Sequence, residues 1–366
     1  MPLTAGIVGL PNVGKSTLFN AITKSEIEAA NYPFATIEPN VGVVTVPDAR
    51  ITALTALINP EKTIPTTFEF TDIAGLVKGA SLGEGLGNKF LANIRETDAI
   101  CHVVRCFDDE NIIHVEGSAN ATRDADVINL ELILADMDQV DKRLTRLAKS
   151  AKSGDKDAKF EAEVLEKVKV GFEDEKPARA LNLAEDELAI IKHLTLLTLK
   201  PILYVANVAE EDLADPSKNK HLAELTEYAK NEGAGIVVIS ARIEEEIATL
   251  DEEDKAMFLE DLGVTESGLD QLIKEAYSLL NLKTYFTAGP KEVRAWTFRD
   301  GMLAPQCAGI IHGDFERGFI RAEVMTFEDL IEYQTETKVK EAGKYRSEGK
   351  TYVVQDGDVM LFRFNV

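Results

Sequence analysis

The chain is poor in cysteine, in positive charge and in long apolar runs. Three cysteines among 366 residues, Cys101, Cys106 and Cys307, are too few for a disulfide framework. None falls in a Cys-x-x-Cys pair or a Cys/His cluster with metal-ligand spacing. No apolar run reaches the ~18 residues that a membrane span needs. The stretch Met1 to Gly9 has no basic region followed by a long apolar one, so no signal peptide is expected. These absences point to a cytoplasmic protein of a reducing compartment, with no structural metal and no membrane partner. Positive charge is scarce as well: 40 Lys and Arg stand against 63 Asp and Glu, a formal net charge of −23. Such a surface repels nucleic acid at long range, so any polyanion must be held by a local basic patch.

What is present is globular. A composition 45% hydrophobic and 28% charged excludes a mainly disordered chain. The length suggests two or three domains. In the first third, short β-branched runs alternate with helical patterns. Ala5 to Gly9, Val41 to Val46, Thr67 to Thr71 and Ala99 to Val104 read as strands, and the pattern resumes at Pro201 to Ala206 and Gly235 to Ile239. This alternation predicts βαβ units and a mainly parallel sheet. Between these pieces, Leu130, Ile133, Met137, Val140, Leu144 and Leu147 are spaced 3, 4, 3, 4, 3, a heptad seam. Ser153-Gly154-Asp155 breaks it and a helical pattern returns at Phe160 to Phe172. The expected organisation is an α/β domain over 1–127 and 199–280, an inserted antiparallel helical hairpin over 128–198, and a small mixed-sheet domain over 281–366.

The strongest chemical signal is Gly9-Leu10-Pro11-Asn12-Val13-Gly14-Lys15-Ser16, which fits G-x-x-x-x-G-K-[ST] between a strand and a helix. Glycines let backbone N–H groups wrap phosphates, and the following helix N-terminus adds positive potential. The cradle then comprises Asn12, Val13, Gly14, Lys15, Ser16 and Thr17. Lys15 is the catalytic cation facing the β- and γ-phosphates, and Ser16 is a Mg²⁺ ligand. Asp72-Ile73-Ala74-Gly75 fits D-x-x-G, in which Asp72 holds the metal and the Gly75 amide senses the γ-phosphate. Thr36, in the loop between, is a candidate third metal contact. Asn12 is a candidate K⁺ ligand beside the phosphates, the alternative being an asparagine that merely stabilises the loop.

A guanine reader would be Asn-Lys-x-Asp after the next strand. Here the run is Asn207-Val208-Ala209-Glu210, without the lysine and with a longer acid. Asn207 still reaches purine N7, backbone near Val208 is left for the adenine edge, and Ser240 after a later strand completes the pocket. ATP is therefore expected over GTP. Leu76 follows Gly75, where relatives of this fold carry a water-orienting glutamine. Leucine cannot orient water, so hydrolysis is expected to be slow or to use another group. His114 is one candidate for that catalytic role, against the alternative of a solvated loop histidine.

The P-loop string, together with Asp72 to Ala80, resembles the Obg branch of P-loop GTPases. Ser81-Leu82-Gly83-Glu84-Gly85-Leu86-Gly87-Asn88-Lys89-Phe90 and Asp314-Phe315-Glu316-Arg317-Gly318-Phe319-Ile320-Arg321 narrow the resemblance to the YchF subfamily, the Obg-like ATPases. It extends over essentially the whole chain. The resemblance implies a P-loop NTPase domain, the inserted coiled-coil hairpin, and a C-terminal TGS domain of ubiquitin-like β-grasp type. It also implies ATP preference, a hydrophobic residue at Leu76, and association with ribosomes, through the large subunit, and with RNA.

Basic residues for such a partner cluster on the hairpin: Lys142, Arg143, Arg146, Lys149, Lys152, Lys156 and Lys159. Lys142, Arg146, Lys149 and Lys152 share one helix face. Lys291, Arg294, Arg299, Arg317 and Arg321 are added by the last domain. The expected function is a slow, Mg²⁺-dependent ATPase switch that binds ribosome or RNA. The alternatives are a conventional GTPase regulator of the same fold and a binding scaffold with little turnover.

Overall fold

The structure, a computed structural model, describes residues 3–29, 40–73, 86–114 and 117–365. In chain order, the first elements are β1 (Thr4–Val8), α1 (Lys15–Ala29), β2 (Val41–Thr45), α2 (Ala49–Ile58), β3 (Thr63–Ile64) and β4 (Thr67–Asp72). Next come α3 (Leu86–Glu96), β5 (Ala99–Arg105), α4 (Ala121–Lys152), α5 (Lys156–Glu173), α6 (Glu185–Ile191) and β6 (Ile202–Asn207). Then follow α7 (Lys220–Glu232), β7 (Gly235–Ile239), α8 (Ala241–Ile247), α9 (Glu252–Asp261) and α10 (Gly268–Leu279). The C-terminal part carries β8 (Leu282–Ala288), β9 (Val293–Arg299), α11 (Ala304–Ile311), β10 (Phe319–Thr326), β11 (Arg346–Glu348) and β12 (Asp358–Phe364).

The chain forms two compact units, one of 1–27, 36–42 and 69–276, the other of 28–35, 43–68 and 277–366. The first is built on the sheet ordered β2-β4-β1-β5-β6-β7. Pairs β1–β4, β1–β5, β5–β6 and β6–β7 are parallel. β5 and β6 are buried at every residue, as parallel strands covered on both faces must be.

The helical hairpin is present, but the structure has no break at 128. Helix α4 runs unbroken from Ala121, and its first turns bury Ala121, Ala125 and Ile128. Gly154, at φ 94°, and the N-cap Asp155, whose carboxylate accepts from the amides of Asp157 and Ala158, reverse the chain into α5. Ile133, Val140 and Leu147 of the seam pack with Val164, Leu165, Val168 and Phe172, with Met137 and Leu144 at the margin. Leu130 departs from the expected seam and is half-buried. There α4 packs on α7 and β5 rather than on α5, and Ile128 and Leu132 are the buried residues.

The second unit holds a mixed sheet ordered β11-β10-β12-β8-β9-β3. Ala304, Cys307 and Ala308 of α11 cover one face against Tyr285, Phe298 and Phe362. It takes in residues 43–68, which the sequence pattern assigns to the nucleotide domain. The reason is local packing: Ile51 and Leu54, on one face of α2, are buried with Phe286, Val293 and Val359. Arg50 pairs with Asp48 and Asp356 at 2.8 and 2.9 Å. Among the described residues, no helix is long and apolar enough to cross a membrane.

Candidate functional site

β1 and β5 are neighbours, and the connection after β1 leads to β2 on one side of the sheet whereas the one after β5 leads to β6 on the other. Open α/β sheets bind ligands at the carboxyl ends of strands at such a switch point. The turn after β1 is built for that. Asn12 and Gly14 have φ of 63° and 94°, which turns successive amides to one side ahead of α1. Glycine is required at 14 twice over, since a Cβ there would lie 2.2 Å from Asn207 Nδ2. Val13 is buried beneath the turn, Ser16 is exposed at the first turn of α1, and Thr17 is half-buried.

Lys15 is 9% exposed, and its ammonium is ion-paired with the Asp72 carboxylate. Parallel pairing sets Ile7 opposite Asp72, which brings the end of β4 to the P-loop. Ser16 and Asp72 therefore offer a hydroxyl and a carboxylate near one another, hard oxygen donors of the kind Mg²⁺ takes. Thr36, Gly75 and Leu76 lie outside the described residues. Among the described residues, no group of three His, Cys, Asp or Glu could hold a metal ion.

Asn207 ends β6 and is buried. Its amide donates to the Val13 carbonyl at 2.8 Å, and its carbonyl accepts from the Ala241 amide at 2.9 Å. The residue expected to reach purine N7 is thus first a brace between the P-loop and the turn before α8. Val208 is buried, and its amide donates to the Ile239 carbonyl at 2.8 Å, so that group is not left for a base edge. Glu210 is exposed at the start of a short 3-10 turn, and Ser240 is buried.

These residues border an open cavity of about 520 Å³ that also takes in Gly14, Thr17 and Ala241. One wall is a loop that the sequence reading did not connect with the base: Phe107, Asp108, Asp109 and Ile112. The available signal is Arg105, a charged residue directly after the apolar pair Val103-Val104. The same loop carries His114, which is not a solvated histidine. It is buried, and its Nε2 meets Asp124 Oδ2 at 2.8 Å. Asn12 Nδ2 donates to the carbonyl of Ile113, one residue earlier, at 3.0 Å, which ties this loop to the P-loop.

Downstream, Glu244 on α8 accepts from the Gly268 amide at 2.8 Å and so caps α10. Burial pushes its carboxyl up to about 7, against the lowering effect of the Leu269 and Gly268 amides.

Of the expected basic residues on the hairpin, Arg146, Lys149, Lys152 and Lys156 are exposed. Lys142 pairs with Asp138 at 2.5 Å, Arg143 with Glu161 at 2.6 Å, and Lys159 with Glu163 at 3.8 Å. In the second unit, Lys291 and Arg299 are exposed, and Arg294 stacks over Trp296 at 3.9 Å. Arg317 and Arg321 are paired with Asp314 and Glu323, so the basic surface there is weaker than the sequence count suggests.

Residues 4–152 match the family described as 50S ribosome-binding GTPase, and residues 282–365 match the YchF-type GTPase C-terminal family, described as a protein of unknown function. The chain is 65% identical to the ribosome-binding ATPase YchF of Bacillus subtilis over all of both chains. It is 57% identical, again over all of both chains, to the protein of that name in Escherichia coli O157:H7. The solved structure titled YchF GTPase of Schizosaccharomyces pombe matches with a TM-score of 0.90 and 42% identity, over 99% of this chain and 97% of that one. With the P-loop at the switch point, the hairpin and the mixed C-terminal sheet all in place, these full-length matches establish that the chain belongs to the YchF family.

Proposed function

We propose that this protein is a slow, Mg²⁺-dependent P-loop ATPase whose nucleotide state governs its association with the ribosome. The observation that carries the choice of base is the end of β6. No lysine stem covers the base there, since the buried Val208 stands at that position, and the acid that would read guanine is replaced by the exposed Glu210. Guanine recognition by a lysine and an aspartate has no equivalent in this run. The Val208 carbonyl and the Ala209 amide suit the donor and acceptor of an adenine edge. The curated relatives carry ATPase in their names, whereas the fission-yeast structure is titled a GTPase. Base preference is therefore the decisive measurement.

In this reading, the cradle amides from Asn12 to Thr17 bind the phosphates. With nucleotide bound, Lys15 would turn from Asp72 to the β- and γ-phosphates, and Ser16, Asp72 and Thr36 would hold Mg²⁺. Bound Mg²⁺ would neutralise charge on the phosphate oxygens. The Gly75 amide reads the γ-phosphate, and Ser240 closes the base pocket. His114, oriented by Asp124, takes the catalytic role of positioning water that Leu76 cannot fill. The Asn12 carbonyl oxygen is the candidate K⁺ contact, since its amide nitrogen is used on Ile113. RNA of the large ribosomal subunit meets the exposed Arg146, Lys149 and Lys152, with Lys291 and Arg299 as a second basic surface on the TGS domain.

Calorimetric titration with ATP and GTP, each with Mg²⁺, tests the proposal. Tighter binding of ATP is expected. Equal or tighter binding of GTP would replace the ATPase by a conventional GTPase regulator. Hydrolysis unchanged by added ribosomes, with binding indifferent to nucleotide, would leave a scaffold.

A further inference from the structure

Two buried polar side chains end adjacent strands at the nucleotide face of the sheet. Register pairs Arg105 of β5 directly with Asn207 of β6. Asn207 braces the P-loop, whereas Arg105 is spent on the neighbouring loop. Its Nε donates to the Phe107 carbonyl at 3.0 Å, its Nη1 to the Ile112 carbonyl at 3.0 Å, and its Nη2 to the Asp109 carbonyl at 3.1 Å. The guanidinium also lies over the Phe107 ring, 4.7 Å from its centroid. Arg105 is 2% exposed, so a charge has been buried to organise one loop.

Burying a guanidinium is costly unless its donors are satisfied, and here three backbone carbonyls of a single six-residue turn satisfy it. No carboxylate partners it in that set, so the side chain acts as a fork-shaped template rather than half of an ion pair. Its planar donors fix three carbonyls at once in a rigid fork, a geometry that lysine's compact, freely rotating ammonium does not preset. The loop so fixed presents Phe107 and Ile112 to the cavity that Asn207 and Val208 border. It is also tied to the P-loop through Asn12.

We propose that Arg105 is the positioning residue of the nucleotide site. It holds Phe107 and Ile112 as a preformed apolar wall for the base, and so contributes affinity for the nucleoside moiety rather than for the phosphates. The inference rests on reading this cavity as the base site, and it holds whichever purine that site prefers. Preorganisation strengthens binding by removing the ordering cost of the loop.

The experiment compares the full-length wild type with Arg105→Gln and Arg105→Lys. Affinities for ATP, GTP and base-free inorganic tripolyphosphate are measured with Mg²⁺, together with kcat and KM for the preferred nucleotide. Arg105→Gln is expected to weaken the preferred nucleoside triphosphate about tenfold and Arg105→Lys by less. Tripolyphosphate affinity stays within about twofold, and KM rises while kcat at saturation is kept. Equal losses for nucleotide and tripolyphosphate would reduce Arg105 to general support of the fold and overturn the proposal, as would unchanged nucleotide affinity. If Arg105→Gln does not fold, Arg105→Lys and Phe107→Ala, screened for thermal unfolding, carry the same comparison. Loss of base-dependent affinity in both supports the proposal, and its absence in both overturns it. A wild type that prefers GTP would refute the ATPase reading without touching this result.

Discussion

The nucleotide end of the sheet and the helical hairpin belong to one compact unit, yet they are held together by opposite means. The hairpin is chiefly an apolar seam: Ile133, Val140 and Leu147 on α4 meet Val164, Leu165 and Val168 on α5, with an ion pair, Arg143 to the buried Glu161, beside them. The nucleotide end is held by buried polar groups. Asn207 braces distant parts of the chain, Arg105 gathers the carbonyls of the loop that follows it, and His114 ties that loop to Asp124 of α4. A seam holds by burial and dispersion, which depend on area and packing rather than on the angle of any one contact. A polar brace is directional, and an unsatisfied partner costs about 1–3 kcal/mol. The first suits an arm that must persist through contact with a partner, the second a site whose geometry must be fixed to fractions of an ångström.

The contrast can be broken at either end. Lys15→Ala should have the largest effect and weaken ATP more than about 100-fold, since a charge-assisted contact to phosphate is lost. Calorimetry checks it, and the hairpin should be unaffected. Retained tight binding would remove the P-loop assignment.

His114→Ala should lower kcat about 100-fold, at the low end for a positioned acid–base group, with ATP affinity nearly kept. Steady-state hydrolysis reads this. An unchanged kcat would leave the His114–Asp124 pair as a structural tie between the loop and α4.

On the hairpin, Leu165→Ala removes a fully buried seam side chain. It should cost about 3 kcal/mol of stability by denaturant unfolding and leave ATP affinity within twofold. A matching loss of ATP affinity would show that the two regions are not independent.

Glu244 sharpens the comparison through pH. Its carboxyl stands at about 7 instead of its ordinary 4.5, chiefly because it is buried. The folded state therefore holds the proton more tightly than the unfolded chain. Its contribution is fully present below about pH 4.5 and is lost as pH rises toward 7, by about 2–3 kcal/mol. Thermal unfolding of Glu244→Gln between pH 5 and 7.5 should lack this part of the slope. An identical slope in the variant would place the titration elsewhere.

The smallest effect concerns the hairpin surface. Replacing Lys142, Arg146 and Lys149 by Glu should leave folding and basal hydrolysis intact, because all three are exposed. Affinity for ribosomes should fall about tenfold at low salt and depend less steeply on salt. Filter binding across a salt series decides, and equal slopes would move the docking surface to Lys291 and Arg299.

Much of this was legible in the residues. The P-loop string, Asp72 and the missing lysine at Val208 are local facts of sequence, and phosphate chemistry needs those types at those spacings. The seam was legible because period 3.5 is a property of order along the chain. Leu130 escaped it, because a neighbouring helix rather than α5 supplies its environment. Residues 43–68 escaped for the same kind of reason: α2 reads as one more helix of an α/β domain, and only its packing partners, Phe286 and Val359, assign it to the second unit.

By itself, the sequence determined the phosphate cradle, the parallel sheet and the hairpin, since these follow from short-range spacing and periodicity. Tertiary structure alone decided which polar residues act as braces. Asn207 was read as a contact to the base and proved to hold Val13 and Ala241. Arg105, one residue past the strand expected to end at Val104, carried no expected role, and it organises the wall beside it. A hydrogen bond records no trace of its distant partner in the order of residues, and pairs such as Asn207 and Val13, 194 positions apart, exist only once the sheet brings strand ends together.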